Sequence, residues 1–279
     1  VPHDLLLDWA GDRVGSAVVG ERPLTGGRTS TMRVLTHADG TDTVLRVIDR
    51  EPWATHRAAL ATREHETQRA LVGSGVAAPR SVALDAARGA HLMTLLPGTA
   101  DEHRADDASL RLLAQTLAAV HDVRPEVPPR GYQSWAWEAK YVVPAWAARP
   151  AAWRVAFDLL RGEPPAHEPT FLHRDYGPHN VLWAGEVLTG VVDWVETSTG
   201  PAWLDVAHAA SNVAVRAGVE RARTFTAAYA AHTGRAREPY WEVMDVVGFL
   251  PPPGRPAFFT APAQQQALEA LLVDALARL

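Results

Sequence analysis

Asp175, Asn180 and Asp193 fall within one short stretch of the chain. The stretch runs Phe171-Leu172-His173-Arg174-Asp175, then Tyr176-Gly177-Pro178-His179-Asn180, then Val181-Leu182-Trp183, and Val191-Val192-Asp193-Trp194 follows. A strand leads into a polar loop, a second strand leads out, and the next strand ends in an acid. The three side chains are therefore expected at one end of a small hairpin. An amide oxygen and a carboxylate are hard donors that suit magnesium. A second carboxylate, placed to accept the proton of an attacking hydroxyl, completes what phosphoryl transfer asks of a protein. On this reading Asp175 is the base, and Asn180 and Asp193 hold Mg²⁺, with Asp193 bridging to the β- and γ-phosphates.

The surrounding elements must place this constellation. Residues 31–36 and 43–48 are strand-like, and Asp39-Gly40 between them is a turn signal, which predicts a hairpin. Residues 55–72 show helical spacing through Leu60, Thr67, Leu71 and Val72. Gly73 and Gly75 end that helix. Short strands follow near 81–84 and 90–95, and Pro97-Gly98 breaks the pattern. Beyond it helices are expected at 110–120, 141–160, 203–217, 219–232 and 263–279, with a β island at 171–192 and a Pro- and Gly-rich loop at 248–262. The expectation is an α+β chain. Residues 1–96 form a nucleotide-binding part ending in a hinge, and 97–279 form a helical part with the catalytic loop and acceptor site.

Composition narrows the class. Apolar residues make up 47% of the 279, enough for a proper core, and the charged share of 21% is ordinary for a globular protein. The net charge of −5 gives no ground for nucleic-acid binding. Cysteine is absent, which excludes disulfides and thiol nucleophiles. No apolar run approaches the roughly 18–20 residues of a membrane helix. The first residues show no basic stretch followed by an apolar one. A cytoplasmic protein without a membrane partner is expected, as monomer or homodimer.

The spacing His173-Arg174-Asp175 to Asn180, with Asp193 18 residues after Asp175, resembles the kinase catalytic loop and metal-binding acid. Asp193-Trp194, in its Val-Val-Asp-Trp-Val-Glu setting, resembles the aminoglycoside phosphotransferase and choline kinase-like family more than protein kinases. The resemblance covers nearly the whole chain. Residues 24–34 look like that family's nucleotide-phosphate loop, which implies contacts from Gly26, Gly27, Thr29, Ser30 and Thr31. Arg63-Glu64 looks like the helix that carries its acidic partner, residues 75–79 like the segment after it, and 92–98 like its hinge. Residues 200–205 look like the segment whose acid, here Asp205, braces the catalytic loop. The resemblance implies a two-lobed protein kinase-like fold, a β-rich N-lobe and a mainly helical C-lobe. It implies ATP or GTP as donor with Mg²⁺, and the base against Met93, Thr94 and Leu95. His173 and Arg174 would support the loop, and His121 and His208 would be structural.

Kinases of this shape hold the α- and β-phosphates with a strand lysine paired to a helix glutamate. Lys140 is the sole lysine and lies in the helical part, so Arg46 takes that position. Guanidinium is planar and grips two oxygens at once, and it keeps a permanent charge. Glu64 is read as its partner, with Glu66 as a competing register. The departure from lysine keeps open a catalytically inactive, nucleotide-binding scaffold, against which the intact Asp175, Asn180 and Asp193 speak.

Only eleven residues separate Asp193 from Asp205, too few for an activation segment and a peptide platform. The expected acceptor is a small-molecule hydroxyl. Residues 1–96 hold 11 acids and 11 bases, and the remainder 21 acids and 16 bases, so the negative excess lies in the acceptor part. This suits an aminoglycoside, another amino sugar or a choline-like amine. A small metabolite such as an amino alcohol, a sugar or a homoserine-like compound is the alternative. Trp135 and Trp137 would share one face of an extended stretch and stack on the acceptor. Glu196 would touch an acceptor amine. Trp146 and Trp153, seven residues apart, would pack within a helix.

Overall fold

The structure, a computed structural model, describes residues 3–25 and 29–279. Gly26 and Gly27 of the expected phosphate loop lie outside the described residues. In chain order the elements are α1 (His3–Val14), β1 (Val18–Leu24), β2 (Thr31–His37), β3 (Asp42–Val47), α2 (Arg57–Ala70), β4 (Ser81–Asp85), β5 (Ala90–Thr94), β6 (Thr99–Ala100), α3 (Asp107–His121) and α4 (Pro150–Arg161). Then come β7 (Thr170–Leu172), β8 (Val181–Ala184), β9 (Val187–Val191), β10 (Ser198–Gly200), α5 (Ala202–Ala217), α6 (Val219–Thr233), α7 (Pro239–Gly248) and α8 (Pro262–Leu276). They form two compact units. One is Val1–Gly98 with Leu182–Thr197, the other Thr99–Val181 with Ser198–Leu279.

The first unit is built on a five-stranded antiparallel sheet in the order β1-β2-β3-β5-β4. Successive strand residues point to opposite faces, and the sequence alternates to match. Leu35, Leu45 and Leu92 join Leu6 and Ala10 of α1 in one cluster, while Val34, Val44 and Met93 form another with Leu24, Met32 and Leu95 at its edge. The β2–β3 turn closes through Gly40, whose φ of 84° favours glycine. α2 packs Leu60 and Ala61 against Ile48 and Val195, so residues 194–196 are held within this unit. Arg63 Nη1 donates to the Val195 carbonyl at 2.8 Å. The β9 end is tied down as well, because Val191 N–H donates to Ala77 O at 2.8 Å.

The second unit is helical around α5, which is buried from Ala202 to Val215 and packs against α6, α7 and α8. Trp153, Trp203, Trp241, Tyr176, Tyr229 and Phe225 are fully buried around it. Buried indole N–H groups need acceptors, and acids supply them. Trp203 donates to Glu242 at 2.8 Å and Trp153 to Glu269 at 3.0 Å. Glu269 also accepts the Ala148 and Arg149 N–H groups, which satisfies donors at the start of α4. β7 pairs antiparallel with β10, Leu172 opposite Ser198. Among the described residues no helix is long and apolar enough to cross a membrane.

Four features differ from the sequence expectation. Residues 182–197 pack in the first unit, whereas the sequence reading put all of 97–279 in the helical part. The helix expected at 141–160 begins only at Pro150, because a proline fits the first turn and not the interior. Trp146 therefore lies outside α4, although its ring meets Trp153 edge-on at 5.4 Å. Five elements carry no expectation at all: α1, α7, the short strands β6 and β10, and the edge strand β1, whose Gly20, Glu21, Arg22 and Pro23 blur any alternation.

Candidate active site

A helix buried on all sides must pair every polar side chain it carries. On α5 these are Asp205, His208, Ser211 and Asn212, spaced by three and four and so on one face. Asp205 accepts the N–H groups of His173 at 2.7 Å and Arg174 at 2.8 Å. His121 reaches it at 3.4 Å and holds the Tyr229 hydroxyl with its other nitrogen at 2.6 Å. Burial opposes ionisation of Asp205, but the His121 bond and the nearby cationic groups outweigh it and hold the carboxyl below its usual range. These bonds fix the loop where Arg174 takes a φ of 74°, a conformation costly for a side chain bearing Cβ. His173 is fully buried, and its Nδ1 faces the Asp175 N–H at 3.2 Å. The Tyr176 hydroxyl donates to Leu113 O at 2.9 Å. The backbone on both sides of Asp175 is thus anchored, while its side chain stays 35% exposed.

The Asp175 carboxylate has one oxygen with two partners and one with a single partner. Oδ1 faces His208 Nε2 at 3.0 Å and His179 Nε2 at 3.3 Å. Oδ2 has Asn180 Nδ2 at 3.2 Å. Burial would raise this carboxyl, but the His179 and His208 bonds and charges hold it well below the ordinary range. Asn180 Nδ2 also donates to the Asp175 carbonyl at 2.8 Å. Its amide nitrogen is therefore turned toward Asp175, which aims the amide oxygen elsewhere. The sequence reading missed His208 as a neighbour of Asp175 and gave no role to His179 or Asp245. A signal was present, since His208 follows Asp205 by three residues on the same helical face.

The first unit gathers the other candidates. Arg46 is buried on β3, and each of its three side-chain nitrogens is engaged. Nη1 contacts Glu64 at 3.0 Å and Asp193 at 2.8 Å, Nη2 donates to Thr29 Oγ1 at 3.0 Å, and Nε donates to Ser30 Oγ at 3.0 Å. Burial opposes its charge, but the two carboxylates more than offset that and raise its pKa. Glu64 lies within α2 and meets His91 Nδ1 at 3.2 Å with its second oxygen. Burial would raise the Glu64 carboxyl, yet Arg46 and His91 hold it low. Glu64, not Glu66, is thus the acid that faces Arg46. Asp193 has a φ of 64°, again unusual for a residue with Cβ, and its side chain is 36% exposed.

The remaining expected residues divide. Thr31 spends its N–H and hydroxyl on Asp49, at 3.0 and 2.7 Å, so it differs from Thr29 and Ser30. Met93 is buried and takes the Gln68 amide on its sulfur at 3.3 Å, Thr94 exchanges bonds with Arg80, and Leu95 packs at the edge of the Val34 cluster. Trp135 carries the Arg174 guanidinium over its ring at 4.2 Å and Trp137 the Lys140 ammonium at 4.3 Å. Each indole therefore has one face occupied by a cation of the chain itself. Glu196 lies in the turn packed on α2, in the first unit rather than the helical one.

No cluster of three or more His, Asp or Glu side chains among the described residues could hold a metal unaided. Magnesium does not need one. It keeps several waters and takes one or two carboxylates plus substrate phosphates. The Asn180 amide oxygen in the second unit and the Asp193 oxygen not bonded to Arg46 in the first are each hard donors of a kind that suits the ion.

Comparison with known proteins bears on these arrangements. No curated protein sequence matches the chain. Solved structures do match in fold. A macrolide 2′-phosphotransferase from Brachybacterium faecium aligns with a TM-score of 0.62 at 22% identity, covering 96% of this chain and 98% of its own. A choline kinase from Streptococcus pneumoniae aligns with a TM-score of 0.67 at 14% identity, covering 99% of both chains. An aminoglycoside phosphotransferase solved with ADP and hygromycin B gives a TM-score of 0.65 at 16% identity, covering 96% of this chain and 98% of its own. The fold is the α+β, protein kinase-like one, with the sheet in the N-terminal region and helices in the C-terminal part. The model of the phosphotransferase enzyme family matches residues 20–244, a span that holds Arg46, Glu64, Asp175, Asn180, Asp193 and Asp205. By that match the chain belongs to the phosphotransferase enzyme family.

Proposed function

We propose that this protein transfers the γ-phosphoryl group of ATP to a hydroxyl of a small molecule, with Asp175 as the base. The observation that carries this reading is the Asp175 carboxylate itself, held ionised on an anchored loop with Oδ2 the less occupied oxygen. The acceptor hydroxyl gives its proton to Asp175, its oxygen bonds to the γ-phosphorus, and the bond from that phosphorus to the β–γ bridging oxygen breaks to release ADP. Asn180 and Asp193 are the residues that would hold Mg²⁺, which neutralises phosphate charge when bound. Arg46 would grip the triphosphate, backed by Glu64 and beside the Thr29 and Ser30 hydroxyls. The half-buried Leu24, Met32 and Leu95 offer an apolar seat for the base.

For the acceptor we propose a hydroxylated amine, an aminoglycoside or other amino sugar. Supporting this are relatives in fold named for aminoglycoside, macrolide and choline substrates; the negative excess read from residues 97–279 does not, since Glu186, Asp193 and Glu196 belong to the first unit. The test is a nucleotide-consumption screen with Mg²⁺ across aminoglycosides, other hydroxylated antibiotics, amino alcohols and sugars, using ATP and GTP. An acceptor that raises ADP release above the rate in buffer, with a phosphorylated product by mass, is the expected result. Silence across the panel, with Asp175→Asn binding nucleotide as tightly as the unaltered protein, would favour an inactive scaffold.

A further inference from the structure

His208 is not accounted for by packing alone. It sits on buried α5, 3% exposed, and both ring nitrogens face carboxylates. Nε2 lies 3.0 Å from Asp175 Oδ1 and Nδ1 lies 2.9 Å from Asp245 Oδ1 on α7. A neutral imidazole has a single N–H and could satisfy only one of them, leaving a lone pair against the other. Two N–H groups, hence an imidazolium, satisfy both. Asp245 is itself fixed, since its other oxygen accepts the Ser211 hydroxyl at 2.7 Å. Phe249 stacks on the imidazole at 5.2 Å and Trp135 meets it edge-on at 5.2 Å, so the ring has no freedom to turn away.

The charged and titratable groups around it come from several elements. Asp175 and His179 belong to the loop and Asp245 to α7, and the Lys140 charge is also attracted to Asp245. Arg216 holds the Asn212 amide oxygen at 2.8 Å. Asn212 Nδ2 donates to His208 O at 3.0 Å and lies 3.1 Å from Nε2. That last contact defines the rival arrangement, a neutral ring accepting from Asn212 at Nε2. In it Asp175 Oδ1 would face a lone pair instead of a proton.

We propose that His208, oriented by Asp245, is a positioning residue that holds Asp175 by Oδ1 and thereby leaves Oδ2 as the oxygen that takes the acceptor's proton. The inference rests on the reading of Asp175 as the base. It gives each carboxylate oxygen its own task. Oδ1 receives His208 and His179, while Oδ2, with the single Asn180 contact, keeps a lone pair for the hydroxyl. It also leaves His208 out of the proton's path, because an imidazolium has no site to accept one.

The test combines kinetics with a measurement on the unaltered protein. His208→Ala should lower kcat about 10- to 100-fold, the scale of a misplaced reacting group, with nucleotide KM within about twofold. His208→Gln, which keeps an N–H donor, should recover much of that loss. In an Asp175→Asn background His208→Ala should have no further effect on kcat, and with Asp245→Asn the double variant should be no slower than the slower single one. A merely structural role would lower thermal stability without this non-additivity. ¹⁵N-histidine NMR of the unaltered protein, with the His208→Gln spectrum to assign the signal, should show both ring nitrogens protonated at pH 7.5. A neutral ring at that pH, an unchanged kcat in His208→Ala, or an equal fold-loss in the Asp175→Asn background overturns the positioning role. Absence of turnover in the unaltered protein overturns the reading of Asp175, and the role built on it, instead.

Discussion

Arg46 shows why a single substitution is not conservative here. Its three nitrogens engage Glu64, Asp193, Thr29 and Ser30 together. Lysine has one nitrogen on a longer, flexible stem and cannot make that set. Arg46→Lys should raise nucleotide KM by about 10-fold, equivalent to about 1.4 kcal/mol, while Arg46→Ala should raise it further and leave Glu64 buried without its cation. Steady-state kinetics at saturating acceptor measure both, and an unchanged KM in Arg46→Ala would remove Arg46 from the nucleotide site. Asp175→Asn should lower kcat about 10²- to 10⁴-fold, the usual contribution of a general base, with nucleotide KM nearly unchanged. At this scale much was legible. A lone lysine in the wrong half of the chain pointed to Arg46, and the Asp175–Asn180 spacing put both on one loop. His208 was not, because a histidine among alanines and valines reads as core until the face it shares with Asp205 is considered.

Elements set how firmly these residues are held. Asp205 illustrates it, since one carboxylate of α5 takes the two consecutive N–H groups that shape the 173–175 loop. Asp205→Asn keeps one acceptor oxygen and strands one buried N–H, a loss of about 1–3 kcal/mol. Urea unfolding should show that loss, and an effect smaller than a few tenths of a kcal/mol would contradict the bracing role. Gly98 is a second case. It has a φ of 94°, and a Cβ there would collide with the Trp183 carbonyl. Gly98→Ala should therefore destabilise the packing of the 181–191 hairpin, visible as a lower Tm. Strands with clean alternation, such as β2 and β3, could be read directly. α7 could not, because Tyr240, Trp241, Val243, Met244, Val246 and Val247 surround it with apolar side chains and erase the amphipathic stripe. The β1 strand failed for the opposite reason, having too little apolar surface to alternate.

Across the whole molecule, two buried cations set opposing pH trends. His208 is opposed by burial, but Asp245 and Asp175 push it up to about 9. Its folded pKa exceeds the unfolded value of about 6.5, so its stabilising share is complete below about pH 6.5 and is lost as pH rises through about 9. Burial pushes Lys140 down to about 8, so between about pH 8 and 10.4 the unfolded chain binds that proton more tightly and stability rises with pH. Urea unfolding should show a decline from about pH 6.5 to 8, a flat stretch to about 9 and a rise from there toward about 10.4, and the decline should be reduced in His208→Gln. As the chain has one lysine, ¹³Cε-lysine labelling should give a single side-chain signal with a midpoint near 8, and a midpoint near 10.4 would contradict its burial beside Gly248. Fold class was legible at this scale from strands first and helices later, but the return of residues 182–197 to the first unit was not, since contiguous sequence carries no mark of it. That return has a consequence for synthesis. When a ribosome has made residue 98, the first unit still lacks Val195 beneath α2 and Asp193 beside Arg46. At about 5–20 residues per second, residues 99–181 hold it in that state for roughly four to seventeen seconds. The nucleotide-gripping arginine is therefore made early and completed late, and a nascent chain stalled before residue 182 should be far more open to protease than one stalled after 197.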